Sequence, residues 1–306
     1  MFCMMVGSGG RSLNINNSSI ASLSVLGLHS CNQVNEETTI TILHTNDMHS
    51  QIDPFPNNHN RFPGKGGFAR IAALIKSIKE NNPNTLIFDA GDIFQGTPYF
   101  NFFHGALELE LMSKMGYNAS TIGNHEFDAG LSRLRSNIVN SNFKFICSNY
   151  DFNNTKLEGI TENYSIYEKS GVKIGVFGLG IELKGLVNPD LYKETKYLDP
   201  IEISEDMIKV LKNENKCDLI VCISHLGHFY NNDKISDIKL AKLTSDIDLI
   251  IGGHTHTFLD KPDIIKNKDG KNVIINQVGT RGVYVGRIDF NFKNFDINKS
   301  TSLLEV

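Results

Sequence analysis

No apolar run in this chain approaches the roughly 20 residues that a membrane-spanning helix needs, so no segment is expected to cross a bilayer. There is no excess of basic residues either: 30 Lys and Arg face 34 Asp and Glu, for a formal charge of −4. Sequence-independent contact with a polymeric nucleic acid requires a basic surface, so that partner is not expected. Small anionic substrates are not excluded, because bound cations can supply positive charge locally. Cysteine is sparse. The five, Cys3, Cys31, Cys147, Cys217 and Cys222, are odd in number and scattered. That argues against a zinc ribbon and against a disulfide framework. Cys147 and Cys222 lie inside apolar runs and read as buried structural thiols. Internal repeats are lacking, and so is any linker within 38–306.

What is present divides into two parts. Residues 1–37 read as a leader rich in Ser, Gly and Asn, with the short apolar stretch Ile20–Leu28 at its centre. That stretch matches the apolar region of an export signal. Leu28-His29-Ser30-Cys31 resembles a lipoprotein box, in which the cysteine is acylated after cleavage. The expected location is therefore periplasmic or membrane-attached, with contact to the membrane only through a lipid anchor at Cys31.

Residues 38–306 are long enough for one large domain. Strand-like and helix-like segments alternate through them, which predicts an α/β domain with a largely buried sheet. Strands are predicted at 39–44, 85–89, 119–122, 143–147, 172–179, 218–223, 247–251, 272–279 and 283–292. Helices are predicted at 67–80, 104–115 (with Gly116 as its cap), 129–140, 203–215 and 234–243. The stretches 51–66 and 150–168 read as polar loops.

The position of the polar clusters is the informative feature. Ligands in α/β proteins bind beyond the carboxyl ends of the strands. Here five strands run directly into Asp47-Met48-His49, Gly91-Asp92, Gly123-Asn124-His125-Glu126, Ser224-His225 and Gly253-His254-Thr255-His256. Asp47 and His49 are two apart and would share a face if extended, as would His254 and His256. Carboxylate, imidazole and amide oxygen together suit zinc, manganese or iron, and suit calcium poorly. A carboxylate on its own loop, Asp92, could bridge two cations. Two cations about 3.5–4 Å apart clamp an in-line displacement and activate a shared water.

These motifs, with the longer Ile42–His49, Gly91–Thr97, Gly123–Asp128 and Gly282–Arg287 segments, resemble those of the calcineurin-like metallophosphoesterases. Within that superfamily they resemble the branch of 5′-nucleotidases, UDP-sugar hydrolases and 2′,3′-cyclic nucleotide phosphodiesterases. The resemblance covers residues 39–292 and implies a four-layer α/β/β/α sandwich, two packed mixed sheets flanked by helices. It implies that Asp47, His49, Asp92 and His256 hold one divalent metal ion, and that Asp92, Asn124, His225 and His254 hold a second. His125 would contact the phosphate and Asp128 would orient His125, the alternative for Asp128 being a helix N-cap. His44 reads as packing or support within its strand and His228 as support behind His225, while His59 and His104 read as ordinary loop or helix-start residues.

The implied reaction is removal of phosphate from nucleoside 5′-monophosphates or related nucleotides by attack of a metal-bridging hydroxide. Phosphodiester or pyrophosphate cleavage on cyclic nucleotides or nucleotide sugars is the alternative. The branch also carries a C-terminal domain that grips the nucleoside, and residues 38–306 do not include one. Two expectations follow: a separate nucleoside-binding chain, or broad specificity. An inactive metal-binding subunit is the non-enzymatic alternative.

Overall fold

The computed structural model describes residues 37–293 and 296–306. The proposed leader and Cys31 lie outside the described residues.

In chain order the strands are β1 (Thr38–Thr45), β2 (Thr85–Asp89), β3 (Ala119–Ser120), β4 (Lys144–Phe145), β5 (Tyr150–Asp151), β6 (Tyr164–Lys169) and β7 (Val172–Leu179). They continue with β8 (Lys196–Tyr197), β9 (Leu219–Ser224), β10 (Leu249–Gly252), β11 (Asp263–Lys266), β12 (Asn272–Asn276), β13 (Tyr284–Lys293) and β14 (Asp296–Glu305). The helices are α1 (Phe68–Asn81), α2 (Pro98–Phe103), α3 (Ala106–Met115), α4 (Gly130–Asn140), α5 (Pro189–Tyr192), α6 (Pro200–Ile208) and α7 (Asp237–Leu243).

Two six-stranded sheets form, ordered β14-β13-β1-β2-β3-β4 and β11-β12-β10-β9-β7-β6. Both are mixed: β1, β2, β3 and β4 run parallel in the first and β7, β9, β10 and β12 in the second, with antiparallel strands at the flanks. The central strands are apolar because both of their faces are covered. One buried cluster joins Ile40, Ile42, Leu86 and Phe88 of the first sheet to Val176, Val221, Ile223 and Leu249 of the second. The opposite face of the first sheet packs on α1, α3 and α4 through Leu43, Ile71, Met112 and Leu134. The opposite face of the second packs on α6 and α7 through Ile208, Cys222, Leu240 and Ile250. This is the expected four-layer order. No helix among the described residues is long and apolar enough to cross a membrane.

Several boundaries differ from expectation for local reasons. The helix predicted over 104–115 begins only at Ala106, because His104 and Gly105 both take positive φ and break α2 from α3. Gly105 also lies against the Phe94 ring, where a β-carbon would overlap it. Gly116 does end α3 in the left-handed conformation. The helix predicted over 203–215 starts earlier, at Pro200, where Asp199 accepts the amides of Ile201 and Glu202. Its last turn, Lys209–Glu214, widens into a π-helix. Part of the expected loop at 150–168 is strand β6, paired antiparallel to β7. Cys147 and Cys222 are buried free thiols, as the apolar runs suggested.

Candidate metal centre

The carboxyl ends of five parallel strands carry the expected polar residues to one rim. Asp47 follows β1, Asp92 follows β2 and Asn124 follows β3, all from the first sheet. His225 follows β9 and His254 and His256 follow β10, from the second. The loops are cross-braced. The Asp47 and His49 amides donate to the carbonyls of Gly91 and Asp92 at 2.9 and 3.0 Å. The His254 amide donates to the Asp47 carboxylate at 3.0 Å.

Two clusters result: Asp47, His49 and His256 in one, and Asp92, His225 and His254 in the other, with the ligating atoms of each all within 4.8 Å of one another. Asn124 joins the second, its Oδ1 3.0 Å from His254 Nδ1. All seven candidate ligands are thus brought together. The route differs from the extended face inferred above. Asp47, His49, Asp92, His254 and His256 all have φ between 46° and 72°, a left-handed conformation that costs a non-glycine residue on the order of 1 kcal/mol or more. His254 and His256 consequently do not share a face, and they fall in different clusters.

The donor set can be tested against a metal ion. His49 Nδ1 donates to the carbonyls of Gln95 and Phe94 at 3.1 and 3.2 Å, which leaves Nε2 as a lone pair. That Nε2 faces His256 Nε2 at 2.9 Å, and His256 Nε2 faces Asp47 Oδ1 at 3.3 Å. Two donors about 2.1 Å from one ion and roughly 90–110° apart lie roughly 3.0–3.4 Å from each other, so this spacing is that of shared ligation. In the second cluster His225 Nδ1 donates to Ala90 O at 2.6 Å. Its fully buried Nε2 has no hydrogen-bond partner, although Asp92 Oδ2 is 3.1 Å away. A buried imidazole nitrogen without a hydrogen bond, facing a carboxylate, is a donor set suited to a divalent cation. Both clusters fit divalent cations.

Electrostatics point the same way. Burial opposes charge on His225, but the Asp92 carboxylate outweighs it and pushes the imidazole up to about 10. Burial likewise opposes charge on Asp92, and His225 more than offsets it, holding the carboxyl well below its usual range. A buried carboxylate that favours positive charge beside it to this degree suits a cation. Burial, helped by the neighbouring His225, lowers His254 to about 3 and keeps it a neutral donor.

His125 stands beside the first cluster, its ring centroid 5.3 Å from that of His49. It is 32% exposed, so it reaches solvent at the rim. Its Nδ1 lies 2.7 Å from Asp128 Oδ2. Asp128 does not cap α4, which has no side-chain cap. Of the other histidines, His44 is buried against Asn276, and His228 pairs with Asp263 at 2.8 Å and takes no part in either cluster. His59 accepts the Phe62 amide within its loop, and His104 closes α2.

Two further residues shape the rim without any role assigned to them by sequence. Glu126 is fully buried and accepts the amides of Asp92, Ile93 and Gly123 at 2.9, 2.7 and 2.6 Å. Asn46 donates to Asp47 Oδ2 at 2.7 Å and to Gly279 O at 2.6 Å. The only signal in either case is a place inside a motif. Gly123 must be glycine, since a β-carbon there would lie 2.6 Å from Asp92 N and 2.8 Å from His225 Cε1.

The family model described as calcineurin-like phosphoesterase matches residues 40–258. The chain is 31% identical over 301 residues to a 5′-nucleotidase of Vibrio parahaemolyticus, covering 91% of this chain and 53% of the relative. It is 30% identical over 286 residues to the trifunctional nucleotide phosphoesterase protein YfkN of Bacillus subtilis, covering 83% of this chain and 18% of the relative. The crystal structure of a 5′-nucleotidase precursor from Thermus thermophilus superposes with a TM-score of 0.79 at 30% identity, covering 88% of this chain and 55% of that one. The chain thus spans about half the length, or less, of these relatives. With the matched segment running from β1 through both candidate clusters, the chain belongs to the calcineurin-like phosphoesterases, a family of metal-dependent phosphoric ester hydrolases.

Proposed function

We propose that this chain is a dinuclear phosphohydrolase that removes phosphate from nucleoside 5′-monophosphates or related nucleotides. The observation that carries the reading is the pair of ligand clusters at one rim, with the His125–Asp128 pair beside them. Asp47, His49, Asp92 and His256 would hold one cation, and Asp92, Asn124, His225 and His254 the other, with Asp92 shared. When bound, such cations polarise the phosphoryl group and activate water for attack. The chain's own part is orientation and charge. Backbone carbonyls fix His49 and His225 with Nε2 bare. Burial opposes charge on His125, but the Asp128 carboxylate at Nδ1 outweighs it and favours the protonated ring, whose Nε2–H can donate to a phosphoryl oxygen as charge builds there.

The nucleotide substrate is supported by the relatives named above. A second reading, cleavage of phosphodiesters or pyrophosphates, is supported by the name of the trifunctional relative, since the same metal pair serves each reaction. Turnover of AMP, a 2′,3′-cyclic nucleotide and a UDP-sugar by the metal-loaded chain separates the two. Absence of hydrolysis of p-nitrophenyl phosphate and of its diester would instead leave a metal-binding subunit.

A separate nucleoside-binding chain that docks at this rim is proposed as a partner; this chain corresponds to about half of the matched 5′-nucleotidases. High turnover with a low KM for AMP from this chain alone would rule that out. Export, with acylation at Cys31, is proposed on the apolar stretch and the lipoprotein-like box. Labelling by a radioactive fatty acid that persists in Cys31→Ala would remove the anchor.

A further inference from the structure

Arg281 lies in the turn between β12 and β13 and is tied to the strand end that carries Asp47. Its amide donates to Asp47 O at 2.7 Å, and the Thr280 hydroxyl donates to the same carbonyl at 2.9 Å. The guanidinium extends back over the loop that holds His49. A β-carbon at Gly96 would lie 3.2 Å from Arg281 Nη1 and 3.1 Å from His49 Cβ. The absence of a side chain at Gly96 therefore lets the guanidinium settle beside His49. Among the described residues its side-chain partner is the neutral amide of Gln51, at 3.4 Å. Arg287, by contrast, is paired with Asp289 at 2.9 Å. Arg281 is also half-buried, and burial works against its charge. A half-buried guanidinium beside a metal-ligand loop, with no carboxylate to neutralise it, is suited to an anion supplied from outside.

We propose that Arg281 is a specificity-determining residue that contacts the phosphoryl group on the His49 side of the centre and favours phosphate monoesters over diesters. The proposal rests on the phosphohydrolase reading above. A monoester carries about −1.5 to −2 charge at neutral pH and offers three terminal oxygens. A diester carries one charge and offers two. The third terminal oxygen and the extra charge of a monoester are what a guanidinium would recognise and a diester lacks.

The test uses the metal-loaded chain and its Arg281→Gln and Arg281→Lys variants, with metal content measured in each. Calorimetric titration with inorganic phosphate reads binding without turnover, and kcat/KM is measured for p-nitrophenyl phosphate and bis(p-nitrophenyl) phosphate. Arg281→Gln should weaken phosphate binding by about tenfold, and should lower monoester kcat/KM at least about fivefold more than diester kcat/KM. Arg281→Lys, which keeps the charge but loses the fork, should fall between. Equal losses on both esters, unchanged phosphate affinity, or loss of metal from the variants would overturn the assignment. If the parent chain hydrolyses neither ester but binds phosphate in an Arg281-dependent way, the hydrolase reading fails and the anion contact stands.

Discussion

Glu126 holds the backbone of Asp92 from below: its Oε2 accepts the Asp92 amide at 2.9 Å and the Gly123 amide at 2.6 Å, while Oε1 accepts that of Ile93 at 2.7 Å. One buried carboxylate thereby locks two of the loops that present candidate ligands. Glu126→Gln conserves shape but turns an NH2 group toward amide N–H groups, leaving donors opposed in a dry site. Stability should fall by about 2–4 kcal/mol, and metal affinity by about 10–100-fold. Urea titration and metal-competition assays check both. Unchanged metal affinity would show that the loops hold their geometry without this anchor.

His125 and Asp128 should separate chemistry from metal binding. His125 lies beside the first cluster but in neither. His125→Ala is expected to retain both metals and to lower kcat by roughly 10²–10⁴, the loss expected for one transition-state contact. Asp128→Asn should lose less, because a neutral oxygen can still accept from Nδ1. Metal analysis alongside steady-state kinetics decides the matter, and metal loss from the His125 variant would place that residue among the ligands.

His44 gives a pH signature outside the site. It is fully buried, bonded to Asn276 at 2.9 Å, and burial pushes it down to about 3. An unfolded histidine titrates near 6.5. Between these values the unfolded chain binds a proton that the folded chain refuses. The His44 contribution to stability is therefore intact above about pH 6.5 and is lost on acidification, by about 1.4 kcal/mol per pH unit, until pH nears 3. His44→Leu should be less stable at neutral pH but should show a shallower decline from pH 6 to 4. Denaturant titrations of the chelated proteins across that range measure the two slopes, and parallel slopes would refute the assignment.

The strand ends are legible in the sequence because they obey a simple rule: apolar runs buried on both faces stop where polar residues begin. Residues 172–179 and 85–89 match their strands end to end for that reason. The strands that the pattern does not reveal, β5, β6, β8, β11 and β14, all lie at sheet edges. Their exposed positions make them look like loops; Tyr164–Lys169 has one buried residue in six. The candidate ligand residues are visible as motifs, but their geometry is not. Left-handed φ is shared by Asp47, His49, Asp92, His254 and His256, and at the first four the backbone amide is tied to a distant loop, which nothing local in those residues announces. Glu126 is hidden for a related reason, since its partners are backbone amides and these carry no sequence signal.

Asp92 offers the sharpest test of the paired centre. Its Oδ2 faces His225 Nε2 at 3.1 Å and its Oδ1 accepts the His125 amide at 2.8 Å. If it is shared by two cations, Asp92→Asn should weaken both sites, whereas His256→Ala, confined to the first cluster, should weaken one. Metal bound only to the folded chain adds stability as its concentration rises, about 2.7 kcal/mol at 100 times the dissociation constant. Chelation of the parent chain should therefore lower Tm, and titrating zinc or manganese back should restore it. The expected stoichiometries under limiting metal are two ions per parent chain, one for His256→Ala, and less than one for Asp92→Asn. Two tightly held ions in Asp92→Asn would mean that the clusters bind independently and that Asp92 bridges nothing.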